Sequence, residues 1–330
     1  FCGQSFIWSK VTPSIYSGVL ENKIPILCMQ SDSNHLYVTS LSSNATEKDI
    51  KEAIYDTFLL NHDHESIVAS FKEKDTAKVM QKILPVLSGL RLMKCHQWTT
   101  LVSFICSANN NVKRITSMVH NLMSTYGDVL YSIKLAEHPK FEIEDTPPKV
   151  ADYIDKLKRT GDLDQFPEEI ILYSFPSPKE IIENSSEQAL RDMAFGYRAR
   201  YVYETALYVH DHPSFLSSVN ELQTSNEKVE ALLVCKGVGK KVSSCVVLYA
   251  FDGHDCIPVD VHIQRICNTY YGTGKDHEAM VKTLQQIYGK MAGWAQLLLY
   301  ASQLSEFKKR IDDHQAKLKE KRKRNQVKGE

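Results

Sequence analysis

The chain has 330 residues and a mass of 37.6 kDa, with 43% hydrophobic residues, 24% charged residues, and Lys+Arg and Asp+Glu equal at 40 each. A chain of this size and composition buries a sizeable core, which excludes a disordered or collagen-like polymer. No run nears the ~18 apolar residues of a membrane span, and eight cysteines without a C-x-x-C pair argue against a disulfide scaffold, a zinc site or a ferredoxin-like cluster and read as intracellular thiols. Cys235, Cys245, Cys256 and Cys267 stand 10, 11 and 11 residues apart, too regular and too wide for those sites. The charge is uneven: residues 308–330 hold ten Lys/Arg against four Asp/Glu, a local +6 that leaves −6 for the rest. The chain opens Phe1-Cys2-Gly3 with no initiator Met and no charged-then-apolar leader, so it reads as trimmed, and nothing supports secretion.

Residues 1–45 alternate short Val/Ile/Leu/Tyr runs with turn-formers such as Glu21-Asn22-Lys23, which predicts antiparallel strands. From about Thr46 the period becomes helical. Val112, Ile115, Val119, Leu122 and Tyr126 keep one helical face and stop at Gly127, read as a C-cap. Residues 141–166 are polar, contain Pro147-Pro148, and read as a looped insertion. Ser185-Ser186-Glu187-Gln188 has the form of a capping box ahead of Leu190 and Met193. Beyond Phe307 the sequence turns basic. The expected fold is mostly α with a small N-terminal α+β part: an antiparallel-sheet domain over 1–88, a helical body over 89–306, and a basic tail over 307–330. The tail reads as a solvated helix end or, equally, as an import signal at Lys321-Arg322-Lys323-Arg324.

The most informative stretch is 229–271. Val229, Leu232 and Leu233 end one helix, Gly237-Val238-Gly239 break it, and a second begins at Lys240-Lys241-Val242. This is a helix–hairpin–helix over about 226–252. Glycines permit the sharp turn, and their N–H groups stand at the start of the second helix, where orphan donors and the dipole favour an anion. Val238 is expected to anchor the hairpin in the core. A nucleic-acid phosphate is the natural anion, bound without reading sequence; a ligand-free helical corner has equal weight from the glycines alone.

Asp260 follows Pro258 at a helix start before Val261, Ile263 and Ile266, and 19 residues separate it from Lys241. Each has a plain structural reading, a cap and a surface lysine. Together they suggest chemistry. A helix N-terminus, partial burial and neighbouring Lys240 all disfavour the ammonium form of Lys241, as a nucleophilic amine requires. An anionic Asp260 nearby would stabilise positive charge developing on a sugar.

The stretch from Lys236-Gly237-Val238-Gly239-Lys240-Lys241 to Val259-Asp260-Val261-His262 resembles the helix–hairpin–helix DNA glycosylases. Gly3-Gln4-Ser5-Phe6-Ile7-Trp8, the run Ser107 to Arg114 around Asn109-Asn110-Asn111, Phe195-Gly196-Tyr197-Arg198-Ala199-Arg200-Tyr201 and Gly293-Trp294-Ala295-Gln296 narrow the resemblance to the eukaryotic 8-oxoguanine DNA glycosylases. The resemblance implies base excision: a damaged base is flipped from duplex DNA, Lys241 attacks the sugar to give a Schiff base, Asp260 assists, and β-elimination nicks the strand. It implies that Gly3 accepts from the lesion's N7–H through its carbonyl, that Gln296 bonds the base edge, and that Cys245 and Tyr300 sandwich the base. Asn109 would fill the vacated space, Tyr197 wedge the stack, Arg114 and Arg198 read the widowed cytosine, and His262 lie near the lesion phosphate, with Gly237, Val238 and Gly239 at the backbone. The family commonly has Phe at position 300 and Pro at 236, where this chain has Tyr and Lys, and its polar stretch over 133–167 is longer. No iron–sulfur cluster or other cofactor is implied. The expected partner is double-stranded DNA bearing oxidised guanine, with no membrane, a monomeric protein, and the nucleus or mitochondrion as its place. A non-catalytic DNA-binding hairpin and a glycosylase of different base preference are the alternatives.

Overall fold

A computed structural model describes residues 3–12, 15–30, 35–42, 44–134 and 169–327; the expected insertion at 141–166 lies outside them. Packing groups the chain into two discontinuous units, 3–55 with 109–211 and 56–108 with 212–330.

The first unit holds the expected antiparallel meander: β1 (Ser9–Lys10), β2 (Ile15–Leu20), β3 (Ile24–Gln30) and β4 (Leu36–Ser40), in that spatial order. Leu27 pairs with Ser17 on one side and Thr39 on the other. Glu21 and Asn22 take positive φ (48° and 60°) to close the β2–β3 hairpin. The Asn22 side chain then clasps residue 175 from both sides, its Nδ2 donating to the Phe175 carbonyl at 2.8 Å and its Oδ1 accepting the Phe175 N–H. Buried Trp8 lies flat on β2 at Gly18, where an added Cβ would stand 2.3 Å from the indole Cε3.

Helix α1 (Glu47–Thr57) follows the meander. Later in the chain, α5 (Val112–Tyr126), which follows the helices of the second unit named below, is capped by Asn111, whose side chain accepts the Arg114 N–H, and it buries Ile115, Met118, Val119, Leu122 and Met123. It ends at Gly127 as expected, but for another reason: φ is −88°, and a Cβ there would sit 2.1 Å from the Ser174 carbonyl oxygen. The glycine admits a neighbouring chain, not a left-handed turn. Strands β5 (Val129–Lys134) and β6 (Glu169–Tyr173) then pair antiparallel, a sheet the helical reading of this region missed. Ile170 and Leu172 of β6 join Val19 of β2 in one apolar cluster. Helix α6 (Pro178–Asn184) has a true capping box, Ser177 with Glu180. The expected box at Ser185 is not formed, because Ser185 closes α6 and Ser186 caps α7 (Glu187–Leu190) by accepting from Ala189. The helical path breaks at Met193 and Ala194, the latter at φ 66°, before α8 (Arg198–Asp211).

The second unit is helical: α2 (His64–Lys74), α3 (Val79–Leu87), α4 (Gln97–Cys106), α9 (Phe215–Glu221), α10 (Ser225–Leu232), α11 (Lys240–Ala250), α12 (Val261–Ile266), α13 (His277–Tyr288), α14 (Ala292–Ala301) and α15 (Ser305–Val327). Helix α4 is buried from Trp98 to Cys106 and packs on α11, itself buried over most of its length. Asp75 is a polar knot of this core: Oδ2 accepts the Met80 N–H at 2.6 Å, and Oδ1 accepts from Ala77 N and the Tyr271 hydroxyl, which also bonds Tyr288. A second knot surrounds Trp294, against which His62, His64 and His254 pack ring to ring while the Arg91 guanidinium stands over its face. The basic tail is helical, and its first turns pack on α3 through Ile311 and a bond from Gln315 Nε2 to the Lys82 carbonyl.

Two outcomes follow from these knots. Asp75→Ala leaves the Met80 and Ala77 amides and a tyrosine hydroxyl without their charged acceptor, and should lower unfolding free energy by about 3 kcal/mol, read from urea denaturation. Burial holds His64 and His254 below the ordinary histidine value of 6.5. Folded, they stay neutral while the unfolded chain takes protons, so stability is full above about pH 6.5 and declines as pH falls below it. Urea midpoints at pH 7.5 and 5.5 should show this drop, and His254→Asn should shrink it.

Candidate active site

Helix α10 opens with a capping box, Thr224 with Glu227, and runs into the hairpin. Gly237 takes φ 76°, a conformation that side chains resist, and this makes the turn. Val238 is buried, as its place between the glycines suggested. Gly239 differs from the expectation. Its backbone is ordinary (φ −101°, ψ 178°) and an added Cβ would meet no protein atom within 4 Å, so the turn does not need it. The bare backbone stands instead in open space at the N-terminus of α11, where no side chain caps the amides.

Lys241 lies in the first turn of α11. The residue is exposed rather than partly buried, with its Nζ turned 5.7 Å over the Phe104 ring. Lys240 points away to Glu230, 3.9 Å from its carboxylate, so it does not add charge beside Lys241 in the way the sequence suggested. One turn on, Cys245 is 4% exposed. Burial pushes its thiol well up; the charge of Lys241 opposes that, Asp260 adds to it, and Lys241 is within hydrogen-bonding reach. The lysine and the aspartate thus act on one thiol with opposite sign.

Asp260 caps α12 as its position predicted. Both cap bonds fall on Oδ1, which accepts from His262 N at 3.0 Å and Ile263 N at 2.9 Å, and Oδ2 takes no part in them. The two cap bonds therefore fix the rotamer of the carboxylate. His262 meets Tyr300 edge to face, with ring centroids 5.8 Å apart, and its Nδ1 is buried without a hydrogen-bond partner. Gln296 is 4% exposed; its Nε2 donates to the Pro258 carbonyl at 3.2 Å while its Oε1 has no partner. What seats Gln296 is Gly293, whose amide donates to His254 O at 2.7 Å and whose Cβ, if present, would be 2.5 Å from the Cys256 carbonyl oxygen.

Lys241, Cys245, Asp260, His262, Gln296 and Tyr300 all belong to the second unit. Gly3, Asn109, Arg114, Tyr197 and Arg198 belong to the first. There, Asn109 is left-handed (φ 47°) and its carbonyl accepts from Arg198 Nη2 at 2.8 Å. Arg198 is buried at 3% exposure, with its guanidinium 4.5 Å over the ring of Tyr197, which is 45% exposed. Arg114 donates to the carbonyl of Ala194 at 3.2 Å. In the asparagine run, then, Asn111 is the helix cap and Asn109 is not, and the two arginines are held by backbone carbonyls. Gly3 has φ 79°, a backbone that only glycine takes easily. Sequence reasoning missed Phe104 beneath the amine, the Pro258 carbonyl and the packing role of Gly293. The first two carry no local signal; a glycine inside an apolar helix was the clue to the third.

Among the described residues no helix is long and apolar enough to cross a membrane, and no group of His, Cys, Asp and Glu stands ready to hold a metal ion. Residues 1–101 match the 8-oxoguanine DNA glycosylase N-terminal domain, and residues 102–290 match the HhH-GPD superfamily of base excision DNA repair proteins. An N-glycosylase/DNA lyase of Arabidopsis thaliana is 28% identical over 314 residues, covering 92% of this chain and 75% of that protein. One from Saccharomyces cerevisiae is 27% identical over 69% of this chain, which spans only 60% of its length. In fold, the chain is similar to a Clostridium acetobutylicum 8-oxoguanine glycosylase/lyase solved with DNA, at a TM-score of 0.71 and 21% identity over 91% of this chain and 88% of that one. Helix, hairpin, lysine and capped aspartate, together with these two domain matches over residues 1–290, make the chain a member of the HhH-GPD superfamily of base excision DNA repair proteins.

Proposed function

We propose that the chain is a bifunctional N-glycosylase/DNA lyase for 8-oxoguanine in duplex DNA, with Lys241 as nucleophile. The observation that carries this reading is the Lys241 amine held over the Phe104 ring in the first turn of α11, in the same unit as the Asp260 carboxylate fixed at the start of α12, with both charges felt by the buried Cys245 thiol. The Lys241 nitrogen gives its lone pair to the deoxyribose C1′ and the base leaves with the glycosidic electron pair. Loss of a proton from nitrogen and opening of the sugar ring give the Schiff base, and removal of a C2′ proton then expels the 3′ phosphate. Asp260 opposes the positive charge that builds on the sugar; its Oδ1 is held by two amides, so no reorganisation is needed as the charge develops.

The unpartnered Oε1 of Gln296 suits the N–H donors on a guanine-type base edge, since a base offering only acceptors would leave it buried and unsatisfied. Cys245 and Tyr300 would flank that base, and Gly3, with its strained-for-others backbone, would present the carbonyl that accepts N7–H. Arg114 and Arg198 would read the opposite cytosine, with Asn109 in the vacated space and Tyr197 wedged into the stack; binding DNA then requires Arg198 to share or exchange its bond to Asn109. The open backbone at Gly239 and the uncapped amides of α11 support a DNA phosphate at the hairpin, with His262 at the lesion phosphate. The protein would act as a monomer, on nuclear or mitochondrial DNA. The second reading, a binding hairpin without catalysis, needs Gly239 but not Lys241.

Borohydride trapping on a duplex with 8-oxoguanine opposite cytosine separates the two. A covalent adduct should form and should fall by about 10³-fold or more in Lys241→Gln, with duplex binding kept; no adduct in the unmodified protein leaves only the clamp. Asp260→Asn keeps an equally good helix cap, so base excision should drop by about 10²–10³-fold with the melting temperature nearly unchanged. Gly239→Val should fold normally, because its side chain enters open space, yet weaken duplex binding by about tenfold.

A further inference from the structure

Helix α15 is more basic than its packing needs. Ile311 is buried and Gln315 bonds the Lys82 carbonyl, whereas Leu318 is exposed, and after it no apolar residue follows until Val327. Along another face, Arg310, Lys317, Lys321 and Arg324 recur at intervals of 7, 4 and 3 residues, the spacing of a single line on a helix, about 21 Å long at 1.5 Å per residue. All four are exposed. Asp313 and Glu320 interleave with these cations at the same 3- and 4-residue spacing, which leaves the line a net charge of +2, while Lys319, Arg322 and Lys323 add three more cations along the same stretch. Arg324 touches Glu320 at 2.6 Å, but the pair is 75% and 62% exposed and so neutralises little.

We propose that this line is a second, sequence-independent DNA contact, which follows the phosphates of undamaged duplex while the active site is empty or engaged. The inference rests on the reading of the chain as a DNA repair enzyme and extends it to a surface that the chemistry does not use. Duplex DNA carries one negative charge per ~3.4 Å of each strand, so a strand running along a ~21 Å line offers about six phosphates to its four cations. A lipid surface suits it poorly, because an interfacial helix needs an apolar face and this segment has none beyond Leu318.

Removing one phosphate-neutralising cation reduces the salt slope of binding by about 0.9. In the full chain, Arg310→Gln, Lys317→Gln, Lys321→Gln and Arg324→Gln together should lower the slope of log K against log salt on a lesion-free 30-base-pair duplex by about 2–4. Arg310→Lys with Arg324→Lys should keep it, which also guards against loss of helix. Four changes of the same charge elsewhere, at Lys48, Lys72, Lys179 and Lys282, should leave the slope within about 1 of the unmodified protein. An unchanged slope in the first variant, or an equal fall in the last, overturns the proposal; so does an unchanged DNA slope with abolished binding to phosphatidylserine vesicles, which would make the helix a membrane contact. Borohydride trapping at low salt reports on the glycosylase reading separately, since the line variant should trap as the unmodified protein does.

Discussion

One close contact governs the second unit: the start of α14 lies directly on the return loop after α11, at Gly293. Its amide bonds the His254 carbonyl, and there is no room for a methyl group between it and the Cys256 and His254 carbonyl oxygens. That approach sets how near Gln296 comes to Pro258, and so which end of its amide is left for a ligand. It also presses Trp294 into the ring of histidines and under Arg91. Two residues before Asp260, the same loop supplies the carbonyl that orients Gln296, so the glutamine amide and the carboxylate are placed by one piece of backbone. A site built this way needs few charged contacts to hold its shape.

Economy of this kind recurs at Asp260. The helix α12 needs a cap, and the proposed sugar chemistry would need a fixed negative charge; one side chain would meet both, because both cap bonds fall on Oδ1. The cap is what makes the residue legible in sequence, and it is also why its second role is invisible there. The same holds for Lys241: a lysine in a first helical turn is commonplace, and only the Phe104 ring and the Cys245 thiol around its amine single it out.

The elements legible in the sequence were those with local signals. The meander showed in its alternation and turn residues, the hairpin in its glycines, and α5 in its apolar period. The pair β5–β6 escaped because its strands pair across residues 135–168, and a run such as Ile170-Ile171-Leu172 reads equally as buried helix without its partner. Helix α4 has no polar face to reveal a period, since it is buried all round. Gly127 reads as a C-cap but yields to a neighbouring carbonyl; of the two roles read for Gly239, the turn does not need it, while the open backbone at the helix start is present. Close approach of distant backbone leaves no trace in local pattern. Cys245, Gln296 and Tyr300 belong to buried or half-buried helix faces, where their types mean only core, and resemblance alone marked them.

The clasp between Asn22 and Phe175 sets a timetable. The hairpin that carries Asn22 leaves the ribosome early, but the amide and carbonyl it must grip are made 153 residues later. At translation rates of about 5–20 residues per second the young sheet waits roughly 8–30 s for its latch. Throughout that interval the apolar flank of β2, Val19 included, has no Ile170 or Leu172 to cover it. Nascent chains stalled before residue 175 should accordingly be the ones that chaperones hold.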